Sequence, residues 1–218
     1  MQRKYTKVKY NYIVIEGNIG AGKTSLVKMI AEKFNAKTIF EQFADNPFLP
    51  KFYKNSERFS FPLELSFLAE RYHQLKKDLS DRDLFKTFTI SDYYFMKSLI
   101  FAKSTLADDE YKLFKNLFFI IYESLPKPDL YVYLHLPVEK LIENIKLRGR
   151  NYEQNIEANY LTNIQNGYFN YFNQQKYMKF LIIDKSNIDF VNSKTDFESI
   201  VDVIFNKDYS VGINRILI

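Results

Sequence analysis

The segment that most constrains the fold of this 218-residue chain is a glycine-rich stretch close to its beginning. It has the spacing G-x-x-x-x-G-K-S/T and consists of Gly17, Asn18, Ile19, Gly20, Ala21, Gly22, Lys23, Thr24 and Ser25. A mostly β-branched apolar run over 12–15 precedes it, and apolar residues at helical spacing follow over 26–34. A loop of this spacing between a strand and a helix is typical of a site that binds nucleotide phosphates.

Each part of this loop has a physical task. Its glycines let successive backbone N–H groups turn inward and surround phosphate oxygens, and the N-terminus of the following helix adds roughly half a positive charge. We expect Lys23 to reach the β- and γ-phosphates of ATP and the hydroxyl of Thr24 to bind Mg²⁺. The alternative is a glycine-rich turn without a ligand, which the spacing and the flanking patterns disfavour.

The composition is typical of one α/β enzyme domain. A chain of this length with 46% hydrophobic residues can bury a substantial core. The absence of cysteine excludes a disulfide framework and a thiolate metal site. No run approaches the roughly 18 apolar residues of a membrane span, so we expect a cytoplasmic protein without a membrane partner. The net charge of +5 comes from scattered residues, and a polyphosphate site explains it without a nucleic-acid partner.

Strands are predicted to alternate with helices along the chain. We place strands at 11–16, 37–40, 85–91, 129–135 and 180–184. Helices are predicted at 23–34, 47–53, 57–79, 94–104, 108–124, 137–148, 158–172 and 197–205. The second of these has Asp45 or Asn46 as its cap and Pro47 at its first position. The alternation predicts a single domain over 1–218, with a parallel sheet and with ligands at the carboxyl ends of its strands. Its core covers about 11–205, and the tail at 206–218 has no assigned role.

Two acidic residues follow predicted strands. Glu41 ends the second strand, where a carboxylate can orient an acceptor hydroxyl and take its proton. The alternative for Glu41 is a solvated acid in a turn. Asp92 follows the third strand beside the loop, which suits a carboxylate that holds Mg²⁺. The alternative for Asp92 is a cap for the helix at 94–104, and the two roles are compatible.

A third feature is the segment Arg148-Gly149-Arg150 at the end of a predicted helix, followed by Glu153. Two arginines around a glycine suit a mobile lid, over about 148–158, that closes on the transferred phosphate. The alternative is a basic C-terminal turn that complements the helix dipole.

Taken together, these segments resemble the deoxynucleoside kinase family, and within it the bacterial deoxyguanosine and deoxyadenosine kinases. The resemblance covers about 11–205 and rests on I-E-G-N-I-G-A-G-K-T-S, E-Q-F-A-D-N-P-F-L-P-K-F-Y, S-D-Y-Y-F-M-K-S-L-I-F-A, L-P-K-P-D-L-Y-V-Y-L and R-G-R-N-Y-E-Q. It implies a P-loop kinase fold with a five-stranded parallel sheet, helices on both faces, and a homodimer. It also implies transfer of the γ-phosphate from ATP·Mg²⁺ to the 5′-hydroxyl of a deoxynucleoside.

The resemblance assigns roles to residues around the reacting atoms. Glu41 matches the catalytic base of the family, and Arg148 and Arg150 match arginines of its lid. Tyr53 and Glu153 match residues that hold the 3′-hydroxyl of the sugar.

The resemblance also points to the residues that read the base. Glu64 lies where the family contacts the base, usually with Gln, and Arg71 matches an arginine near the base. The two are seven residues apart on one predicted helix and therefore share a face. A carboxylate that accepts and an arginine that donates could bracket guanine, which has N–H donors on one edge and O6 and N7 acceptors on another. We therefore expect a preference for deoxyguanosine over deoxyadenosine; the alternative is that both side chains bond to other residues and read nothing.

The sequence departs from the family pattern at two places. Many members carry Asp/Glu-Arg-Ser after the third strand, where the Arg steadies the phosphates, whereas this chain has Asp92-Tyr93-Tyr94. Lys23, Arg148 and Arg150 are the candidates for the charge of that missing arginine. Some relatives also have an Arg one turn before the lid, where this chain has Asn144.

The leading interpretation is a kinase of purine deoxynucleosides that acts in nucleotide salvage. A nucleoside monophosphate kinase would share the loop and the lid but would have no need of a base at Glu41. A deoxynucleoside kinase with another base preference is a further alternative. A nucleotide-binding regulatory protein would keep Lys23 but would not need Glu41, Asp92 and the arginine lid together.

Overall fold

In the computed structural model, which describes residues 8–42, 46–81 and 83–218, six parallel strands form one sheet. The strands are β1 Tyr12–Gly17, β2 Lys37–Ile39, β3 Thr89–Ser91, β4 Leu130–His135, β5 Lys179–Asp184 and β6 Gly212–Leu217. Their order across the sheet is β2-β3-β1-β4-β5-β6. The chain thus winds to one side of β1 for β2 and β3 and to the other side for the rest, so the winding reverses beside β1.

Helices connect the strands in the alternation that the sequence predicts. They are α1 Lys23–Phe34, α2 Leu49–Lys54, α3 Ser56–Ser80, α4 Met96–Thr105, α5 Asp108–Tyr122, α6 Val138–Arg148, α7 Ala158–Gln174 and α8 Lys194–Asn206, with a 3-10 turn at Asn151–Glu153. Within the described ranges, none of these helices is both long and apolar enough to cross a membrane.

The start of α2 differs from the prediction. This helix begins at Leu49 rather than at Pro47, and Phe48 precedes it without a side-chain cap. Asn46 accepts a hydrogen bond from the N–H of Phe48 at 3.0 Å, which closes a turn just before the helix. Asp45 lies outside the described residues.

The alternation of side chains along the strands builds two different core layers. Because successive side chains of a strand point to opposite faces, β1 and β4 send aliphatic residues to the face covered by α1, α6 and α8. They send mainly aromatic residues to the face covered by α3, α4, α5 and α7. The first layer includes Ile13, Ile15, Leu130, Val132 and Leu134. The second includes Tyr12, Tyr131, Tyr133, Tyr168, Phe172 and Phe180.

The sheet has one strand more than the five that the sequence analysis expects. Residues 212–217, in the tail without an assigned role, form β6 and pair with β5 in parallel from Lys179↔Gly212 to Asp184↔Leu217. An edge strand of this kind depends on the free backbone groups of its neighbour more than on its own sequence. Its local pattern therefore carried little signal.

The third strand is shorter than predicted. It begins at Thr89, where its pairing partners Tyr12 and Lys37 also begin. Phe85 is 87% exposed and lies before the sheet rather than in it. A strand needs a neighbouring strand to satisfy the hydrogen-bonding groups of its backbone. The alternating pattern over 85–88 is therefore not sufficient to form a strand.

The carboxyl ends of β1, β2 and β3 bring the predicted site residues together. The register aligns Ile39 of β2 with Ser91 of β3, so Glu41 and Asp92 leave the sheet side by side. The glycine-rich loop leaves β1 at the same edge. This edge is where an open α/β sheet binds ligands.

Candidate active site

The glycine-rich loop adopts a conformation that requires glycine. Gly20 and Gly22 have φ angles of 82° and 83°, in the left-handed region. A Cβ on Gly20 would lie 2.7 Å from the carbonyl oxygen of Leu141, so a side chain there would collide with α6. The side chain of Asn18 anchors the loop to α7 by donating to the carbonyl oxygen of Leu161 at 2.8 Å. The loop is therefore held in shape without a ligand.

A cavity of about 760 Å³ opens between this loop, α6 and residues 185–192. Its loop residues are Gly20, Gly22, Lys23, Thr24 and Ser25. Asn144, at the position where some relatives carry an arginine, lines the same cavity and donates to the carbonyl of Gly20 at 2.8 Å. We call this space the donor cavity. Of the other loop residues, Ile19 lines the second cavity described next, whereas Gly17, Asn18 and Ala21 are buried.

A second cavity, of about 110 Å³, lies on the other side of Lys23 and is called the acceptor cavity here. It is lined by the residues that the sequence analysis expects around the acceptor substrate and the metal: Glu41, Tyr53, Glu64, Arg71, Asp92 and Glu153. The two cavities share four lining residues, which are Lys23, Thr24, Arg148 and Arg150. Three cations and a hydroxyl thus stand where the cavities meet, and positive charge there suits a phosphoryl group.

Glu41 lies at the centre of a buried charge cluster. Its Oε1 accepts from the Nε and Nη2 of Arg71 at 2.9 and 2.7 Å, and its Oε2 accepts from the Nζ of Lys97 at 2.5 Å. Burial by itself would raise the pKa of Glu41, but the two cations and their hydrogen bonds outweigh it and lower the pKa to about 2. The carboxylate is therefore ionised and fixed in place.

Thr24 and Asp92 form the pair that the sequence analysis expects at a metal. The Thr24 hydroxyl donates to Asp92 Oδ2 at 2.5 Å, and Asp92 Oδ1 accepts from the N–H of Glu41 at 2.8 Å. A hydroxyl and a carboxylate beside a phosphate loop fit Mg²⁺, which takes oxygen ligands and keeps several waters. Asp92 does not cap the next helix, because α4 begins only at Met96 and has no side-chain cap.

The arginine segment after α6 is tied down by one carboxylate. Gly149, with φ of 73°, ends α6 and redirects the chain. Glu153 then pairs with both Arg148 and Arg150, the latter at 3.2 Å. The ring of Tyr53 stacks on Tyr152 beside them, with centroids 5.8 Å apart. Tyr53 and Glu153 both line the acceptor cavity.

Glu64 has an unusual environment. It is 2% exposed, its Oε1 accepts from the hydroxyl of Thr105 at 3.0 Å, and its Oε2 has no hydrogen-bond partner among the described residues. Burial raises the pKa of Glu64 to about 7. Arg71 differs, because all three of its nitrogens are engaged, with Glu41 and with Ser98. Of these two predicted base readers, Glu64 is the one with a free polar atom.

Two further buried ionisable residues lie in or beside this site, and the sequence analysis did not single them out. Glu16 is fully buried, and its carboxylate accepts from the N–H of Tyr94 at 2.8 Å and from the hydroxyl of Tyr168 at 2.9 Å. Lys97 contacts Glu41 directly. The available signal for Lys97 was its position as a single charge within the apolar stretch F-M-K-S-L-I-F-A.

A glycine-rich loop of this spacing, a fixed carboxylate and two arginines around two joined cavities are typical of a nucleotide-dependent kinase. The sequence model of the deoxynucleoside kinase family matches residues 13–208, and the chain belongs to that family. It is an ATP-dependent deoxynucleoside kinase.

Individual relatives agree with this assignment. The chain is 39% identical to a deoxyguanosine kinase of Bacillus subtilis (strain 168) over 194 residues, which are 87% of this chain and 93% of that protein. It is 31% identical to a deoxyadenosine/deoxycytidine kinase of the same organism over 208 residues, 90% and 92% of the two chains. A solved structure of deoxyadenosine kinase from M. mycoides with bound dATP is 26% identical and superposes with a TM-score of 0.77, covering 89% of this chain and 99% of that chain.

Proposed function

We propose that this kinase transfers the γ-phosphate of ATP to the 5′-hydroxyl of purine deoxynucleosides and prefers deoxyguanosine. The observation that carries the proposal is the junction of the two cavities at Lys23, Thr24, Arg148 and Arg150. A triphosphate in the donor cavity would place its γ-phosphate at this junction, opposite an acceptor beside Glu41. Three cations there would stabilise the charge of the phosphoryl group during transfer.

Glu41 is proposed to orient the acceptor and to receive its proton. The 5′-hydroxyl donates to the carboxylate, the O5′–P bond forms, and the bond from the γ-phosphorus to the β-phosphate oxygen breaks with its electron pair on ADP. The proton passes from O5′ to Glu41. A pKa near 2 means that Glu41 acts mainly by orientation and accepts the proton late, which suits the loose transition state of phosphoryl transfer.

Thr24 and Asp92 are proposed to hold Mg²⁺ with the phosphates of ATP. The ion would neutralise phosphate charge in the transition state. Asp92 also accepts from the N–H of Glu41, so the same side chain links the metal position to the position of the base.

Glu64 is proposed to read the base. Its unpartnered Oε2 can accept from the N1–H or N2–H₂ of guanine, which satisfies a buried polar atom. Adenine has an acceptor at N1, which repels an ionised carboxylate and suits a Gln amide instead. The relatives named deoxyguanosine kinase show that the family includes such specificity.

The test is ADP release by the purified protein with the four deoxynucleosides and with dGMP and dAMP. We expect turnover of deoxyguanosine above deoxyadenosine and none of the monophosphates. Glu64→Gln should shift the ratio of kcat/KM toward deoxyadenosine by ~10–100-fold, because the carboxylate that accepts from guanine is lost. Glu57→Gln, which replaces an exposed carboxylate in the first turn of the same helix, is the matched control.

The outcomes separate the alternatives. Turnover of monophosphates alone would indicate a nucleoside monophosphate kinase, and binding of ATP without turnover would indicate a regulatory protein. An unchanged ratio in Glu64→Gln would leave purine deoxynucleosides in general as the substrate class.

Two further expectations follow from the relationship to this family. A homodimer should show a mass near twice the 26.1 kDa of the chain in light scattering after gel filtration. A salvage kinase would meet its nucleosides and ATP in the cytoplasm, which fractionation of the source cells would test.

A further inference from the structure

Lys97 is a buried lysine that the mechanism above does not use. It lies in the first turn of α4, is 7% exposed, and is followed by the buried apolar residues Leu99, Ile100 and Phe101. Lys97 lines the acceptor cavity, and its Nζ donates to Glu41 Oε2 at 2.5 Å. A lysine buries its charge at considerable cost unless it is paired, so this position needs an explanation.

The hydrogen bonds of Glu41 show where an acceptor hydroxyl can bind. A carboxylate offers about four lone pairs, two on each oxygen. The two donors of Arg71 belong to one guanidinium and approach one side of Oε1, and Lys97 occupies one side of Oε2. The other side of each oxygen remains open. A 5′-hydroxyl that donates to the open side of Oε2 displaces no cation and shares this oxygen with Lys97.

This arrangement places the ammonium beside the attacking oxygen. Two donors on one oxygen, each about 2.5–3 Å away and separated by roughly 110°, lie about 4–5 Å from each other. An ammonium group has three N–H donors. Among the described residues, Lys97 gives a hydrogen bond only to Glu41, and its Nζ also lies 5.4 Å from the centroid of the Phe101 ring. With one donor on Glu41 and one toward the ring, a third remains for an oxygen of the transferred phosphoryl group.

We propose that Lys97 is a further catalytic residue of this kinase, which hydrogen-bonds both Glu41 and a phosphoryl oxygen while O5′ attacks. The proposal rests on the proposed phosphorylation of a 5′-hydroxyl. In this role Lys97 supplies a positive charge in place of the arginine that the segment Asp92-Tyr93-Tyr94 lacks. The sequence analysis considered only Lys23, Arg148 and Arg150 for that charge. The bonds that form and break are those already given, and the proton still passes to Glu41.

A purely structural role for Lys97 predicts something different. If Lys97 only neutralises Glu41, its removal matters only while Glu41 is charged. If Lys97 contacts the phosphoryl group, its removal slows the transfer even when residue 41 is neutral. The two roles therefore predict different effects of Lys97→Gln on kcat when Glu41 is already replaced by Gln.

The experiment is a double-mutant cycle with Glu41→Gln and Lys97→Gln, measured as kcat and KM for deoxyguanosine at saturating ATP. We expect Lys97→Gln to lower kcat by ~10²-fold with KM changed less than threefold, because the lost interaction belongs to the transition state. In the Glu41→Gln background, Lys97→Gln should still lower kcat at least ~10-fold. Lys97→Arg should recover part of the loss because it keeps the charge.

The control is Lys103→Gln, which removes an exposed lysine from the same helix and should leave kcat unchanged. Equal kcat for Glu41→Gln and Glu41→Gln/Lys97→Gln would overturn the proposal. This comparison is informative even if the single variant Lys97→Gln does not fold, because the double variant has no charged Glu41 that needs a cation beside it. A wild-type protein that phosphorylates no deoxynucleoside would contradict the proposed function instead, which separates the two failures.

Discussion

At the scale of single residues, Glu64 is the side chain whose chemistry depends most on its surroundings. Burial raises its pKa to about 7, while the charges of Arg71 and Lys97 lower it, as does the hydrogen bond from Thr105, and the charge of Glu41 raises it. The carboxyl is thus largely protonated below pH 7 and ionised above it. Protonated, it both donates and accepts, as a Gln amide does.

The base preference should therefore depend on pH. Ionised Glu64 accepts from guanine, whereas protonated Glu64 can donate to N1 of adenine and accept from its N6 amino group. With a pKa of about 7, the ionised fraction falls about tenfold between pH 8 and pH 6 while the protonated fraction rises about tenfold. We therefore expect the ratio of kcat/KM for deoxyguanosine over deoxyadenosine to fall by ~10–100-fold over this range. The ratio cancels pH effects on the shared chemistry.

Glu64→Gln provides the control for this dependence, because its side chain does not titrate. Its ratio should be constant from pH 6 to pH 8. A wild-type ratio that is equally constant would contradict the assignment of Glu64 to the base.

At the scale of elements, the aromatic layer under β1 and β4 contains two tyrosines with opposite hydrogen-bonding states. The hydroxyl of Tyr168 donates to Glu16 at 2.9 Å, and this bond ties α7 to the end of β1. The hydroxyl of Tyr131 is buried and has no partner among the described residues. An unpaired buried hydroxyl costs stability, whereas a paired one contributes it.

The two tyrosines form a matched pair for a stability measurement. Tyr168→Phe should lower the free energy of unfolding by about 1–3 kcal/mol, because it leaves a buried carboxylate oxygen with poorer pairing. Tyr131→Phe should leave it unchanged or raise it by up to about 1 kcal/mol. Urea unfolding measures both. Equal losses in the two variants would mean that packing, rather than the hydrogen bond, determines the effect.

The segment from Arg148 to Glu153, at the end of α6, should separate two kinetic effects. Arg148→Ala and Arg150→Ala should lower kcat at least ~10-fold with small changes in KM, because charge on the phosphoryl group develops during transfer. Glu153→Gln should mainly raise KM for the deoxynucleoside, since the 3′-hydroxyl does not change in the reaction. Steady-state kinetics of the three variants test this division.

The substrate gives a control for Glu153. Removal of the 3′-hydroxyl, in 2′,3′-dideoxyguanosine, should raise KM more for the wild-type protein than for Glu153→Gln. Lys146→Ala, an exposed cation in the last turn of α6, should behave as wild type. Glu153 pairs with both arginines, so the same kinetic signature for the arginine and glutamate variants would mean that Glu153 acts through them and would rule out separate roles.

At the scale of the whole molecule, both core layers pack on one sheet, so the chain should unfold as a single domain. Calorimetry should show one cooperative transition. ATP·Mg²⁺ or deoxyguanosine, each at 100 times its Kd, should raise Tm by roughly 5–10 °C, from about 2.7 kcal/mol of binding free energy. Two separate transitions would contradict a single domain.

Lys23→Ala tests the link between fold and ligand in the same experiment. Burial and then the charge of Lys97 lower the pKa of Lys23 to about 8, so its ammonium contributes little to the ligand-free fold. The variant should keep its Tm within a few degrees and lose most of the shift caused by ATP, while the shift caused by deoxyguanosine remains. Lys28→Ala, an exposed lysine of α1, is the control.

Much of this molecule follows from local sequence. The glycine-rich loop, the alternation of strands with helices and the family motifs depend on residues within one segment, where spacing alone determines which groups point the same way. The residues that these motifs single out include Glu41, Tyr53, Glu64, Asp92 and Glu153, and they line one cavity because the fold brings their separate segments together.

Tertiary structure decided what depends on partners far away in the chain. The contact of Lys97 with Glu41 joins residues 56 positions apart, and the hydrogen bond of Glu64 to Thr105 joins residues 41 positions apart. The strand β6 exists because β5 has a free edge, and β3 begins only where Tyr12 and Lys37 can pair with it. Hydrogen bonds and burial between distant segments are set by packing, which the spacing within any one segment does not specify.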